Sequence, residues 1–326
     1  MRRSVTVAIL AAVVALPAGA MAGNGNAVNG GSKSPLTMAV IGDTPYGTEQ
    51  IERFPALVED VNDDPKVRLV LHLGDVKSGS SPCTDERLEL SRDLYDTFKD
   101  PFVLTPGDND WTDCHRPAAG GFLPTERLDT LRDIFYPQPG RTLGGRSKQV
   151  LTQADQPGFE AFVENQLWMQ SQVVFSAVHV VGSRNGLAPW FGGNETEEQR
   201  ELRLEEYESR LAADLAWLDR TFATAHEEDA RGVVIAMQAD TFQGSDEGFE
   251  EILDRITELA GEFDGPVLLL QGDSHEYLVD RPLPEAPNLT RIVVEGETAD
   301  EWLRLRIDPR GEQLFSWTRE RDFASR

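Results

Sequence analysis

The sequence predicts an α/β protein with a largely parallel or mixed sheet, on two observations. Apolar runs of strand length, rich in Val, Ile and Leu, recur along the chain and are nearly continuous, as strands covered on both faces are. Between them lie segments whose apolar residues repeat at steps of three and four, the period of a helix with one buried stripe. Strand and helix alternating in this way imply helices layered on a sheet.

The chain opens on an address rather than on the fold. Arg2 and Arg3 precede an apolar run, Val5 to Leu16, followed by Pro17-Ala18-Gly19-Ala20-Met21-Ala22. A basic start, a short apolar stretch and a small-residue end match a secretory signal peptide over residues 1–22, so export to a periplasm or to the outside is expected. The run is short for a bilayer span, and the alternative is an uncleaved anchor. Residues 23–34 read as a flexible Gly/Asn/Ser leader. A single domain is expected over 35–318, with a tail at 319–326.

Strands are expected at Leu36–Ile41, Val67–Leu73, Pro101–Thr105, Val173–Val181, Gly232–Met237 and Pro266–Leu270. Late strands at Ile292–Val294, Trp302–Ile307 and Gln313–Trp317 follow, and the last two alternate more, as edge or antiparallel strands do. Ile51, Phe54, Leu57, Val58 and Val61 share one helical face. Thr196 and Gln199 form a capping-box pattern before a helix carrying Tyr207, Leu211, Leu215, Leu218 and Phe222. Phe249 to Leu259 repeats the helical spacing, with Gly261 as its expected stop. Pro137–Gly158 and Gly182–Asn194 read as irregular loops. No apolar stretch after the first is long enough to span a bilayer.

Charge narrows the function. A formal net charge of −25 repels DNA, RNA and anionic lipid, which argues against a nucleic-acid binder, and it suits cation sites built from oxygen ligands. The cysteines are Cys83 and Cys114; an even count in an exported chain suggests one disulfide, the alternative being two buried thiols.

Four Gly-Asp dipeptides close apolar runs: Gly42-Asp43, Gly74-Asp75, Gly107-Asp108 and Gly272-Asp273. Any one of them reads most simply as a helix cap or turn. Together they point to one place, because ligands of α/β sheets bind beyond the carboxyl ends of the strands. Carboxylates gathered there repel unless cations or protons neutralise them. His275, two residues past Asp273, adds a nitrogen ligand that capping does not explain. Gln238 and Asp240 end a further strand.

In these segments the chain resembles the calcineurin-like metallophosphoesterases, whose strand-end motifs run D-x-H, G-D, G-N-H-[DE], a lone His and G-H-x-H. Gly-Asp43-Thr-Pro45, Gly-Asp75-Val-Lys77, Gly-Asp108-Asn109-Asp110, Met-Gln238-Ala-Asp240 and Gly-Asp273-Ser-His275 follow that order. The wording of the segments is closer to an exported bacterial subgroup than to the standard phosphatases. The resemblance implies two mixed sheets packed face to face with helices outside, a four-layer αββα sandwich, and a site for two divalent metal ions at one edge. It places Asp43 and His275 on the first ion, Asp75 across both, and Asp108 and Asp273 on the second, with Gln238 or Asp240 in place of the lone His. It implies hydrolysis of a small phosphorylated substrate by a hydroxide bridging the metals.

The departures shape that expectation. Pro45, Asp108, Asp273 and Gln238 or Asp240 stand where the family pattern has His, Asn, His and His. Harder oxygen ligands favour Mn, Mg or Ca over Zn. Asn109 stands where a His assists the leaving group, and an amide delivers no proton near neutral pH. Asp110 is a replacement acid or a holder of neighbouring ligands. Lys77, Tyr46 and Asn185 are candidate substrate contacts, each with an ordinary surface, core or turn alternative. Cys83 and Cys114, if joined, tie the loops carrying Asp75 and Asp108. The alternative function is a weak or inactive member of the fold that binds metal or a phosphorylated ligand. The sequence sets no oligomeric state.

Overall fold

The computed structural model describes residues 32–297 and 300–321. The expected signal segment, most of the leader and the end of the expected tail lie outside the described residues. Twelve described strands form two sheets. The first runs β12-β11-β1-β2-β3, with β1 Leu36–Ile41, β2 Val67–His72, β3 Phe102–Leu104, β11 Glu301–Ile307 and β12 Phe315–Arg321. The second runs β4-β5-β6-β7-β8-β10-β9, with β4 Leu151–Thr152, β5 Gln166–Gln170, β6 Val173–Ala177, β7 Gly232–Ala236, β8 Val267–Gln271, β9 Leu278–Asp280 and β10 Leu289–Val293. Both sheets are mixed: β1, β2 and β3 pair in parallel, as do β6, β7, β8 and β10, while β11, β12, β4, β5 and β9 join antiparallel.

Period-two side chains build the layers. Leu36, Met38 and Val40 of β1 point to a core shared with Phe175, Ala236, Leu268 and Leu270 of the second sheet. Ala39 and Ile41 point the other way, against α1 Gly47–Asp63, α2 Asp85–Tyr95 and α3 Pro124–Phe135 through Phe54, Leu57, Leu88 and Leu131. On the second sheet Val233, Ile235, Val267 and Leu269 meet α4 Glu197–Glu227 and α5 Glu250–Glu262 through Leu218, Phe222, Ile252 and Ile256. The result is the four-layer αββα sandwich. Burying each such aliphatic side chain stabilises the fold by about 1.5–3 kcal/mol.

Several elements differ from the sequence expectation. The ladder of β6 stops at Ala177, four residues early, because the chain bends away toward the site. Gly261 sits inside α5, whose cap is Phe263. β12 runs to Arg321, three residues into the expected tail, held by pairing with β11. Helices α2 and α3 and strands β4, β5 and β9 add to the expected set. The Thr196–Gln199 capping box is present, each side chain taking the other residue's backbone N–H. Among the described residues no helix is long and apolar enough to cross a membrane.

Both parallel blocks end at the same rim. Asp43 N–H donates to Gly74 O at 3.0 Å, tying the exits of β1 and β2. Thr105, after β3, donates its hydroxyl to Val178 O, after β6, at 3.0 Å and links the two sheets there. Gly272 N–H donates to Gln238 O at 2.9 Å, joining the exits of β7 and β8.

Candidate metal centre

The four Gly-Asp carboxylates meet at that rim. Asp75, Asp108 and Asp273 each offer an oxygen, all within 4.8 Å of one another. Asp43 is wholly buried beside them and accepts the Asp273 N–H at 3.1 Å, a bond that crosses from the first sheet to the second. His275 Nε2 lies 3.2 Å from Asp43 Oδ1. Asp43, Asp75, Asp273 and His275 all take left-handed φ angles (53°, 59°, 72° and 55°), which costs roughly 1–2 kcal/mol each for a residue with a Cβ. Strain of that kind gathered in one place marks a functional site.

Gly182 explains how the far carboxylates approach. A Cβ there would fall 2.7 Å from Asp108 Oδ2 and 2.9 Å from Asp273 Oδ1, so only glycine leaves room for both. Gln238 bridges the same place: its Nε2 donates to Asp108 Oδ1 at 3.3 Å, and its Oε1 accepts the Gly182 N–H at 2.6 Å. Ser183 donates toward Asp108 at 2.8 Å and toward Asp113 at 2.9 Å.

Asp75 is held from the other side. Its Oδ2 accepts from Asn109 Nδ2 at 2.6 Å and from the Tyr46 hydroxyl at 3.0 Å, and its Oδ1 accepts the Asn109 N–H at 3.1 Å. Beneath, Asp110 takes the backbone N–H groups of Gly107, Asp75 and Val76 at 2.8, 3.1 and 2.8 Å. One carboxylate thus sets the turns that aim Asp75 and Asp108. Cys83 and Cys114 form a disulfide with Cα atoms 5.7 Å apart, and their sulfurs pack 3.8 and 3.9 Å from Asn109 O.

Electrostatics follow from crowding in a dry place. Burial raises the Asp75 pKa well above the ordinary carboxylate range, and Asp108, Asp110, Asp43 and Asp273 raise it further. Burial, then Asp108 and Asp43, push Asp273 to about 8. Burial drives Asp110 to about 7 against its backbone hydrogen bonds and Lys77. Burial also raises Asp43, with His275 pulling it back down. The Asp43 carboxylate in turn raises His275 to about 9. Among the described residues none of Asp75, Asp108 and Asp273 has an ion-pair partner.

Divalent cations fit this donor set. His275 Nε2 is shielded from solvent and lies 3.2 Å from Asp43 Oδ1, so a nitrogen and a carboxylate oxygen sit side by side. Its other nitrogen, Nδ1, lies 2.9 Å from Glu297 Oε2, the carboxylate contact that orients metal-bound histidines.

Three expected site residues turn their side chains to other partners. The Asp240 carboxylate pairs with Arg291 at 2.6 Å, while the Gln238 side chain reaches Asp108. Asn185 is fully buried; its Oδ1 accepts from Val181 N–H and from Arg210, so it holds the 181–185 turn. Lys77 is fully buried with its Nζ 3.3 Å from Ser78 O, so it offsets the charge of Asp110 and Asp75 from below rather than contacting substrate. Asp110, in the same way, is a buried brace rather than a proton donor to substrate. His72 and His179 are core residues, the first against Thr44 O at 2.8 Å and the second against Glu164 at 2.7 Å. Glu297, Ser183 and Asp113 were missed, since each sits in a loop with no spacing signal.

The comparisons agree with this geometry. The family model for calcineurin-like phosphoesterase matches residues 36–275. The chain belongs to the calcineurin-like phosphoesterase family. It is a hydrolase of phosphate esters by that membership. A search of curated proteins finds no match. Among solved structures, this phosphoesterase is similar to a dimetal phosphatase from Danio rerio, with 12% identity over 86% of this chain and 98% of that one and a TM-score of 0.52. A purple acid phosphatase from Lupinus luteus aligns at 10% identity over 88% and 53% of the two chains, with a TM-score of 0.45.

Proposed function

We propose that this chain is an exported phosphoesterase whose rim carboxylates hold two divalent cations. Asp43 and His275 hold one, Asp108 and Asp273 with Gln238 the other, and Asp75 reaches both. One observation carries the reading: Asp75 and Asp108, both buried, and the half-buried Asp273 converge without an ion-pair partner among the described residues, an arrangement that cations stabilise. A ligand set rich in carboxylates and poor in histidine favours Mn, Mg or Ca over Zn. When bound, the cations lower the pKa of water and offset charge on a phosphoryl group.

The chain's own residues orient and confine. Tyr46 and Asn109 fix one oxygen of Asp75, so that carboxylate cannot rotate away. Gln238 and Ser183 do the same for Asp108. Glu297 sets the ring of His275. Asn109 donates hydrogen bonds but no proton, and Asp110 is sealed beneath the turns. With neither Asn109 nor Asp110 placed to protonate the leaving oxygen, esters of acidic alcohols such as phenols react fastest. Export is supported by the Arg2–Ala22 segment and by the Cys83–Cys114 disulfide. The test is turnover of an aryl phosphate by protein stripped of metal and then supplied separately with Mn, Mg, Ca or Zn. Activity that returns best with the first three supports the reading; none with any metal contradicts it.

A further inference from the structure

We propose that Arg116 is the cation that receives the substrate's phosphoryl group, and that it selects phosphate monoesters over diesters. The inference rests on the function proposed above and adds its substrate class. An anion approaching a chain of net charge −25 needs a local positive group. Of the nearby cations, Lys77 is sealed beneath the site and Arg184 is paired on the surface with Glu247 at 2.8 Å. Arg116 differs from both. Its side chain is 46% exposed, while its Nη2 is anchored 2.5 Å from the Asp113 carboxylate, itself buried. Asp113 is tied through Ser183 to Asp108, so the guanidinium is fastened to the metal-site framework.

The other end of the guanidinium, Nη1, packs beside Gly79 and Asn109. A Cβ on Gly79 would lie 2.8 Å from Arg116 Nη1 and 2.5 Å from Asn109 Oδ1. Both groups therefore border the same small gap over Gly79, and Asn109 is the residue whose amide holds Asp75 at 2.6 Å. The φ of Gly79 is not left-handed, so a glycine here serves space rather than backbone conformation. The loop carrying Arg116 is also fixed by the adjacent disulfide at Cys114. A half-exposed guanidinium held at Nη2 by a buried carboxylate, beside the amide that holds Asp75, can meet terminal phosphoryl oxygens. A monoester dianion carries twice the charge of a diester and gains about twice the Coulomb attraction.

The test uses full-length metal-loaded protein. Wild type, Arg116→Ala and Arg116→Lys are compared for kcat/KM on an aryl monoester and an aryl diester, and for the Kd of inorganic phosphate by titration calorimetry. Arg116→Ala should lose about 10- to 100-fold on the monoester and in phosphate affinity, and clearly less on the diester. Arg116→Lys should recover part of both. Arg116→Ala also leaves the buried Asp113 carboxylate without its ion-pair partner, so metal content and melting temperature are measured alongside, and Arg116→Lys, which keeps a cation there, separates lost charge from lost structure. Equal losses on the two esters would overturn the selectivity, and unchanged phosphate affinity in Arg116→Ala would overturn the contact. Wild type that binds phosphate but turns nothing over would refute the hydrolase reading alone. Wild type that binds no phosphate would refute both.

Discussion

The two halves of the rim solve the same electrostatic problem differently. On one side Asp43 has a neighbour, His275, whose imidazole carries a compensating charge, and Glu297 beyond it reaches solvent. On the other, Asp75, Asp108 and Asp273 face one another with amides and hydroxyls around them but, among the described residues, no cation paired to any of the three. The first half is tolerable empty, as an internal ion pair. The second half is tolerable only when protonated or when filled. The difference teaches that the second half depends more on protons or a cation than the first.

Asp75 gives the largest expected effect, because it reaches both halves. Asp75→Asn should lower kcat/KM by about 1,000-fold or more, since it removes a ligand common to both ions. The same variant should melt at or above the temperature of the metal-free wild type, because a repelling charge is gone. Loss of activity through unfolding would blur the comparison, and circular dichroism separates the two outcomes.

Acidity sharpens it next. A carboxylate whose folded pKa is raised binds more protons folded than unfolded, so stability falls as pH rises from its unfolded value of about 4 to its folded value. For Asp273 that window closes near pH 8. His275, raised to about 9, stabilises the fold fully below about 6.5 and loses that contribution as pH rises through 9. Both effects have the same sign. Metal-free protein should therefore melt progressively lower between pH 5 and pH 9, and protein loaded with Mn should hold its melting temperature over that range. A flat profile for the metal-free protein in a calorimetric series would show that the carboxylates are not crowded.

Smaller effects divide the halves. Glu297→Gln should weaken the Asp43–His275 ion by about 10- to 100-fold, and Ser183→Ala should weaken only the other ion, at the low end of that range. Two separable affinities in a metal titration would show this, and both variants acting on the same affinity would contradict it. Cys83→Ser with Cys114→Ser should cost about 3.7 kcal/mol of stability for a loop of 31 residues and loosen the Asp108 side before the Asp43 side.

Much of this was legible in the sequence because the signal was local. A glycine that lets the chain turn at a strand end and an aspartate that follows it are adjacent residues, and their order along the chain is the order in which the parallel strands present them. The fold was legible for a related reason: β1, β7 and β8 are continuous apolar runs, and α4 carries its capping box. Elements with weaker patterns were not seen. β4 is two residues long, β9 is largely exposed, and α2 buries little beyond Leu88, Ser91 and Tyr95. Partnerships made only by folding were hidden as well. Asp240 is withdrawn by Arg291, which lies 51 residues away, and Asn185 is consumed by Arg210 from α4. Glu297, Asp113 and Arg116 take their places only once the loops close over the rim.

The most direct test is a crystal structure of Mn-loaded protein with anomalous scattering collected at the manganese edge. Two peaks are expected at the rim, one against Asp43 and His275 and one against Asp108 and Asp273, with Asp75 touching both. Peaks elsewhere on the acidic surface, or a rim without any, would contradict the central claim that these carboxylates gather to hold cations.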